Sequence, residues 1–444
     1  MEFRSSADWS RIRGWLGLAL IAVGMLALAA MPELRLHIGR YLALYALSVV
    51  GYVLVWTATS RLSLRAVLIV ALVVRVAFVP VVPSLSDDIY RYVWDGRVQL
   101  AGINPYLHAP DSAALDGVDY AERERINHPA IRTIYPPLAE GLFAAVAAAG
   151  GGMFTFKVIF GICDLLTALV LWRTVARARR AEVMALYLLC PLVIIETWHA
   201  AHLEVVATLL VVISLALIER RRDLPAGLAL GAAAAVKLMP AFLLVPALFG
   251  GRVSARRFLP GFALAFGLPY IPYVLTGAAL GSARDSGARP EGNSLVFTTL
   301  RGIVGYETAR VAVVVVFIVG AAAISLRVRG RERTAEAFAW TLTLLLLVLP
   351  IVHPWYWLTP VALSVAAGIR LPIYLGLAAP AADMGFARWR TDAPRVRWIT
   401  YAPLAFFGVE SAVRARDRRR KAADAPAQPN GKPGAAGLDS SSGS

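Results

Sequence analysis

Apolar runs long enough to cross a bilayer recur along most of the chain, and short basic clusters separate them. The first is Gly14–Met31 (GWLGLALIAVGMLALAAM), followed by Tyr41–Trp56 and Leu64–Val82. Runs near the ~18 residues that span a bilayer predict helices, because lipid leaves the unpaired backbone of an open strand unsatisfied. Further crossings are expected near Phe154–Trp172, Ala181–Ile195, Leu203–Ile218, Phe258–Leu275, Ala309–Leu326, Ala335–Val352, Tyr356–Ile369, Leu371–Ala382 and Trp398–Val413. The fold class is therefore all-α: a polytopic membrane protein of about 12–14 transmembrane helices. The apolar stretch of the first run exceeds the roughly 7–15 residues of a signal-peptide core, which favours an uncleaved anchor.

The basic clusters set the orientation. Arg4, Arg11 and Arg13 precede the first run, and Arg61 and Arg65 lie between the second and third. Arg173–Arg180, Glu219–Asp223, Gly250–Arg257, Arg327–Arg333 and Arg414–Lys421 follow. Placing all of these on the cytoplasmic side follows the positive-inside rule. Residues 84–135 then form a large external loop. Pro136–Gly152 does not fit as a crossing and reads as a re-entrant or surface helix. Leu224–Gly251 has cytoplasmic clusters on both sides, so it reads as a hairpin of two short helices with Lys237 near its outer tip. The basic stretch Ala387–Arg397 violates the rule by falling outside. The domain reading is one transmembrane unit over 1–413 and a basic, disordered tail over 414–444, the tail being rich in Ala, Pro, Gly and Ser.

Composition supports this picture. Hydrophobic residues make up 58% of the 444 and charged residues only 17%, against about 25% in soluble chains. A net charge of +16 would suggest nucleic acid in a soluble domain. Here the basic residues sit between apolar runs and face anionic lipid instead, so nucleic acid is not an expected partner. Cys163 and Cys190 both lie inside apolar runs and indicate neither a disulfide framework nor a metal site.

Nearly all the reactive chemistry falls on the external side. The first loop holds Asp87, Asp88, Arg91, Asp95, His108, His128 and the stretch Thr133–Pro137 (TIYPP). Glu196–Glu204 (ETWHAAHLE), Lys237, the Gly- and Ser-bearing stretch Gly277–Glu307 and His353–Trp357 (HPWYW) share that side. Ionisable residues at membrane depth carry a penalty of about 2.5–3.5 kcal/mol, so each has a partner or a task. Asp88, Arg91, Tyr92 and Asp95 share one helix face and can simply pair there. His199 and His202 at i, i+3 do not form a zinc motif of the His-Glu-x-x-His kind. Trp355 and Tyr356 also fit an interfacial aromatic belt. Lys237 has no acidic neighbour in its own run, so it needs a distant acid, with Glu196 or Glu204 the nearest candidates, or an anionic ligand. Gly277–Glu307 reads as an external loop that can cover the site.

These stretches resemble the GT-C glycosyltransferases. Asp88, Tyr90, Tyr92, Gly96, Gly102, Pro105, Tyr106, Tyr135, Pro137 and Leu138 fall on the first-loop pattern of the bacterial polyprenol-phosphate-mannose-dependent mannosyltransferases, a family 87-like group. His202 and Glu204 fall on that group's His-x-acid turn, and Lys237 on the superfamily's Lys-x-x-Pro. His353, Trp355 and Tyr356 fall on its late Pro-Trp-Tyr stretch.

The resemblance implies an inverting transfer of a sugar from a polyprenyl-phosphate donor to a glycan or glycolipid acceptor. It places the reaction at the external face of a bacterial cytoplasmic membrane. Mannose is implied by the resemblance alone, and arabinose or glucose fits the same layout. Asp88 would be the catalytic base, with Asp87 beside it either as a partner for Arg91 or as ligand to a divalent cation. Arg91, Tyr92, Tyr106, Tyr135, His202, Glu204, Lys237, His353, Trp355 and Tyr356 would bind substrate. The alternative from another class is a flippase or permease for a polyprenyl-linked or anionic lipid, which requires a cavity reaching both faces. A structural scaffold would have no external cavity at all.

Overall fold

The computed structural model describes residues 6–278, 291–385 and 396–405. Among these the chain is helical, and its only β-type pairing is an isolated bridge between Gly292 and Ile351. The first three helices are α1 (Ser6–Ala29), α2 (Ile38–Ala58) and α3 (Leu64–Phe78). α4 (Asp88–Leu100), the long loop after it and α5 (Pro137–Ala148) form the cap over one end. The chain continues through α6 (Met153–Thr174), α7 (Arg180–Leu188) and α8 (Pro191–Ile194), the last running into a π-turn at Ile195–His199. α9 (Glu204–Glu219), α10 (Asp223–Val236), α11 (Leu244–Phe249), α12 (Ala255–Gly267) and α13 (Ile271–Leu275) follow. α14 (Val296–Val304), α15 (Tyr306–Arg327), α16 (Thr334–Val348), α17 (Leu358–Ala367) and α18 (Leu371–Ala378) complete the described helices.

Five of these segments are long and apolar enough to cross a membrane, or up to six if the pair 177–188 and 191–199, bent by 54°, is one broken span. The expected 12–14 runs therefore resolve into a few long helices and many short or broken ones. Proline is the recurring cause: Pro191, Pro240, Pro272, Pro354 and Pro372 each open a new helical segment where the preceding one ends. Trp398–Val413 extends past residue 405, and both Ala387–Arg397 (except its last two residues) and the tail 414–444 lie outside the described residues.

Helix pairing sorts the chemistry to two ends. α9 is 16 residues long, about 24 Å at 1.5 Å per residue, and α10 packs back against it. Glu204 at the start of α9 thus meets Lys237 just past α10, with Oε1 and Nζ 2.7 Å apart. At the opposite end Asp223 begins α10, where Arg331 pairs with it at 2.8 Å and Ser254 N–H donates to it at 2.8 Å. Gly330 N–H donates to Gly250 O at 3.3 Å, and Arg179 donates to Ala366 O at 2.7 Å. The four basic clusters between residues 173 and 333 share this end. Leu224–Gly251 accordingly rises as α10, breaks at Lys237 and returns through Met239–Leu243 and α11.

One expectation needs correction. The stretch Gly277–Glu307 is not loop throughout: α14 covers Val296–Val304, and Gly292 pairs with Pro350 and Val352 through its N–H and carbonyl. Val296, Phe297, Leu300, Ile303 and Val304 recur at helical spacing, and the preceding Gly, Ser and Pro residues obscure that period. Residues 279–290 of that stretch lie outside the described residues.

Candidate active site

The site is assembled where α4 begins. Ser86 accepts from the Asp88 N–H at 3.2 Å, a serine turn that starts the helix in the manner of an N-cap. Asp88 is the first residue of α4, where the exposed N–H groups favour a negative side chain. Beneath this turn Lys157 of α6 donates to Phe78 O at 2.8 Å and also to Val81 O. Ser84 accepts from Leu34 N–H at 2.9 Å. The chain into the two aspartates is thereby tied to α3, α6 and the α1–α2 connection.

α4 lies close on α5. A Cβ on Gly96 would stand 2.4 Å from Phe143 O, so only glycine permits this approach. Arg91 holds Asp95 through Nε at 2.9 and 3.1 Å and reaches Ile131 O at 3.0 Å. Thr133 donates to Glu140 at 2.7 Å, and Gln99 donates to its other oxygen at 2.9 Å. Tyr92 sits in an aromatic cluster, stacked on Phe143 at 4.8 Å and edge-on to Tyr135 at 5.2 Å. Arg123 and Arg125 lie over Trp94 and Tyr90 at 5.0 and 4.2 Å and fasten the loop onto α4.

A cavity of about 530 Å³ opens against the α4 turn. Its wall brings together Asp87, Asp88, Arg91, Tyr135, Lys237, His353, Trp355 and Tyr356, residues singled out from sequence. Arg35, Ser86, Asn127, His128, Arg132, Asn293 and Asp383 complete its polar lining. Tyr92, Tyr106, His202 and Glu204 do not line it. Tyr106 donates to Tyr135 O at 2.6 Å and packs edge-on against Tyr273, so it holds the wall from behind. His202 and Glu204 are buried directly beneath the lining.

Asp88 accepts from Asn127 Nδ2 at 2.7 Å through Oδ1. Its Oδ2 lies 3.7 Å from His202 Nδ1, and His202 Nε2 lies 3.4 Å from Glu196. The His202 ring stacks on Trp355 at 3.9 Å, and Trp355 stacks on His353 at 4.3 Å. Burial, and then the neighbouring Lys237 ammonium, push His202 well below the usual imidazole range. His353 is pushed down to about 4 by burial and by Lys237 and His128. Both rings are therefore held as neutral groups stacked against Trp355, His202 at 3.9 Å and His353 at 4.3 Å. Burial opposes the Lys237 charge, but the Glu204 carboxylate overcomes it and holds the ammonium above the usual lysine range. Tyr135 and Tyr356 flank the ammonium, with ring centres at 5.4 and 5.8 Å.

Asp87 does not pair with Arg91. It lies one residue ahead of the helix and points to the α1–α2 connection, where Arg35 binds it at 2.8 Å. Among the described residues no group of three or more His, Cys, Asp or Glu side chains is placed to hold a metal ion. His199 faces Ser84 at 3.3 Å while His202 faces the two carboxylates, so the pair does not converge. Arg35, Asn127, Arg132, Asn293 and Asp383 were not legible as site residues. Each stands in a loop or at a helix end without a local motif.

The model of the alpha-(1->6)-mannopyranosyltransferase, N-terminal domain (MptA/B) family matches residues 11–251, more than half of the 444. The chain belongs to this family. It is a membrane glycosyltransferase acting on mannose. Comparison with curated proteins and with solved structures gives no match. The matched part of this mannosyltransferase supplies Asp87, Asp88, Arg91, Asn127, Arg132 and Lys237 to the cavity. Asn293, His353 to Tyr356 and Asp383 come from beyond it.

Proposed function

We propose that this mannosyltransferase moves mannose from a polyprenyl-phosphate donor to a hydroxyl of a mannose-bearing glycan or glycolipid acceptor. The observation that carries the reading is the juxtaposition, on a single cavity wall, of the partly exposed Asp88 carboxylate and the basic side chains of Arg35, Arg91, Arg132 and Lys237. No arginine or lysine among the described residues pairs with Asp88, whereas Asp87 is taken up by Arg35. In the proposed step Asp88 takes the acceptor hydroxyl proton, and that oxygen attacks the anomeric carbon. The bond from this carbon to the phosphate oxygen breaks through an oxocarbenium-like state. The negative charge that grows on the leaving phosphate faces the basic side chains of the wall, which stabilise it more than they do the intact phosphodiester. A phosphate leaves without a proton, so a single carboxylate suffices, and displacement without a covalent intermediate inverts the anomeric centre.

The 1→6 α-linkage in the family's description extends the reading: inversion that yields an α-mannoside requires a β-linked donor. The basic clusters at the end opposite the cavity support an external, periplasmic site on the positive-inside rule. The cavity at that basic end, lined by Arg179, Glu219, Arg331 and Glu336 among others, shares no lining residue with the Asp88 cavity. Separate cavities favour an enzyme over a transporter. The test is product analysis with the purified protein in lipid nanodiscs. β-Mannosyl phosphoryl polyprenol should give an α-1,6-extended mannooligosaccharide, while the α-linked donor and a nucleotide-linked mannose should give none. Turnover of the nucleotide sugar, or retention of configuration, would refute the reading.

A further inference from the structure

We infer that Asn127 is a positioning residue that commits Asp88 to one of its two carboxylate oxygens. The inference rests on Asp88 acting as the base.

A carboxylate only accepts hydrogen bonds, so the amide group 2.7 Å from Oδ1 is the Asn127 nitrogen acting as donor. That bond occupies Oδ1 and fixes the rotation of the carboxylate about its own axis. Oδ2 takes no part in it and has His202 Nδ1, in the layer beneath the lining, at 3.7 Å. The Asp88 charge is also felt by Lys237, Glu204, Tyr92, Tyr135 and Tyr356, the titratable groups packed around it.

The backbone around Asn127 is organised for this bond. His128 takes a left-handed conformation, φ +50°, which costs a non-glycine residue about 1–2 kcal/mol. Such strain persists only where the surroundings hold it, and here the hold is visible. Ile131 N–H donates to His128 O at 3.0 Å, Asp111 N–H donates to Pro129 O at 3.2 Å, and Arg91 grips Ile131 O at 3.0 Å. Arg91 is itself pinned by Asp95. The strained turn directs the Asn127 amide inward and brings His128 onto the same wall. An asparagine that merely closed the loop would need no carboxylate partner in the cavity wall.

The experiment uses the full chain in nanodiscs. It compares Asn127→Leu, similar in shape but without a donor, with Asn127→Ser, which keeps a shorter donor. The expected result for Asn127→Leu is a fall in kcat of about 10- to 100-fold, as for other small misplacements of a reacting group. Both KM values and Tm stay close to wild type. The acid limb of the pH–rate profile moves upward, because a hydrogen bond to the charged carboxylate is lost. Asn127→Ser recovers part of kcat and part of the profile. A loss of kcat with an unmoved pH profile, a change confined to KM, or collapse of both variants' Tm would each overturn the positioning role. Substantial turnover by Asp88→Asn would instead remove the base reading on which the inference rests, and so distinguishes that failure from failure of the Asn127 role.

Discussion

Lys237→Met is the most discriminating perturbation of the cavity. Lys237 and Glu204 form a pair at 2.7 Å with side chains 18% and 4% exposed. Removing one partner of a buried pair costs about 3–5 kcal/mol, mostly because the other charge is left without compensation. Lys237 retains some solvent contact, so a value near 3 kcal/mol is expected. The cation's place between Tyr135 and Tyr356 adds about 0.5–1 kcal/mol to this. The variant can recover part of the loss by protonating Glu204. The folded variant then binds a proton that the unfolded chain does not, and its stability falls by about 1.4 kcal/mol per pH unit as pH rises from about 4.3 to the new Glu204 value. Thermal unfolding in nanodiscs at pH 6 and pH 8, followed by tryptophan fluorescence, should show the greater deficit at pH 8. Glu204→Gln combined with Lys237→Met removes the stranded charge and should recover most of the stability. Donor affinity measured on the double variant then isolates any contact between the ammonium and the donor phosphate. Unchanged Tm in the single variant, or a double variant no more stable than the single, would refute the ion-pair argument.

The remaining predictions concern the α4 turn and the stacked rings. Asp88→Asn should remain folded and bind donor while losing transfer by 10²–10⁴-fold or about that range, as read by single-turnover kinetics. Asp87→Asn should cost only about 0.2–1 kcal/mol, because its pair with Arg35 is 27–31% exposed, and should slow transfer mildly. Chelator treatment should leave activity unchanged if Arg35 rather than a cation neutralises Asp87, and loss of activity in EDTA would reverse that assignment. His353, pushed down to about 4, stays neutral in the folded protein while a free imidazole protonates near 6.5. Stability should therefore fall as pH drops from about 6.5 to about 4, and His353→Gln should flatten that slope in a Tm–pH series.

The residues that could be singled out from sequence are those embedded in a local pattern. Asp88 follows an apolar run and opens a helix whose Tyr and Asp residues keep a fixed spacing, and Lys237 interrupts an alanine-rich run. Arg35, Asn127 and Asp383 have no such pattern. Arg35 reaches the cavity from the α1–α2 connection and Asp383 from the turn after α18, where it accepts from Tyr41 at 3.2 Å. Their convergence depends on how distant helices pack, which no local period reports. Of the two readings of Asp87, the pairing with Arg91 fails for a related reason, since Asp87 binds Arg35 instead. Helical spacing governs residues inside α4, where Arg91 prefers Asp95 at i+4. Asp87 precedes the first turn and is free to point elsewhere. The long apolar runs gave the class of the fold, but prolines and the π-turn divide them in ways that hydropathy averages out.

The charges buried in the apolar runs of α3 and α6 help explain how a site at the end of a bundle keeps its geometry. Arg75 of α3 meets Asp164 of α6 at 2.7 Å with both side chains fully buried, and Arg75 also donates to Leu188 O at 2.6 Å. Trp198 Nε1 donates to the same Asp164 oxygen at 2.8 Å, and its ring closes on Gly161, where a Cβ would stand 2.6 Å away. A buried pair of this kind is weak as a source of net stability, since hydrophobic replacements often do as well. Its directional bonds, however, fix relative position in a way that interchangeable apolar contacts do not. Trp198 belongs to the π-turn whose extra residue shifts the register of everything after it. The same turn carries Glu196, whose carbonyl accepts from His202 N–H at 3.0 Å. A rigid polar clamp in α3 and α6 thus sets the π-turn, the turn sets His202, and His202 stands against Asp88. The energetic weakness of the Arg75–Asp164 pair and its position beneath the site are compatible because its contribution is geometric.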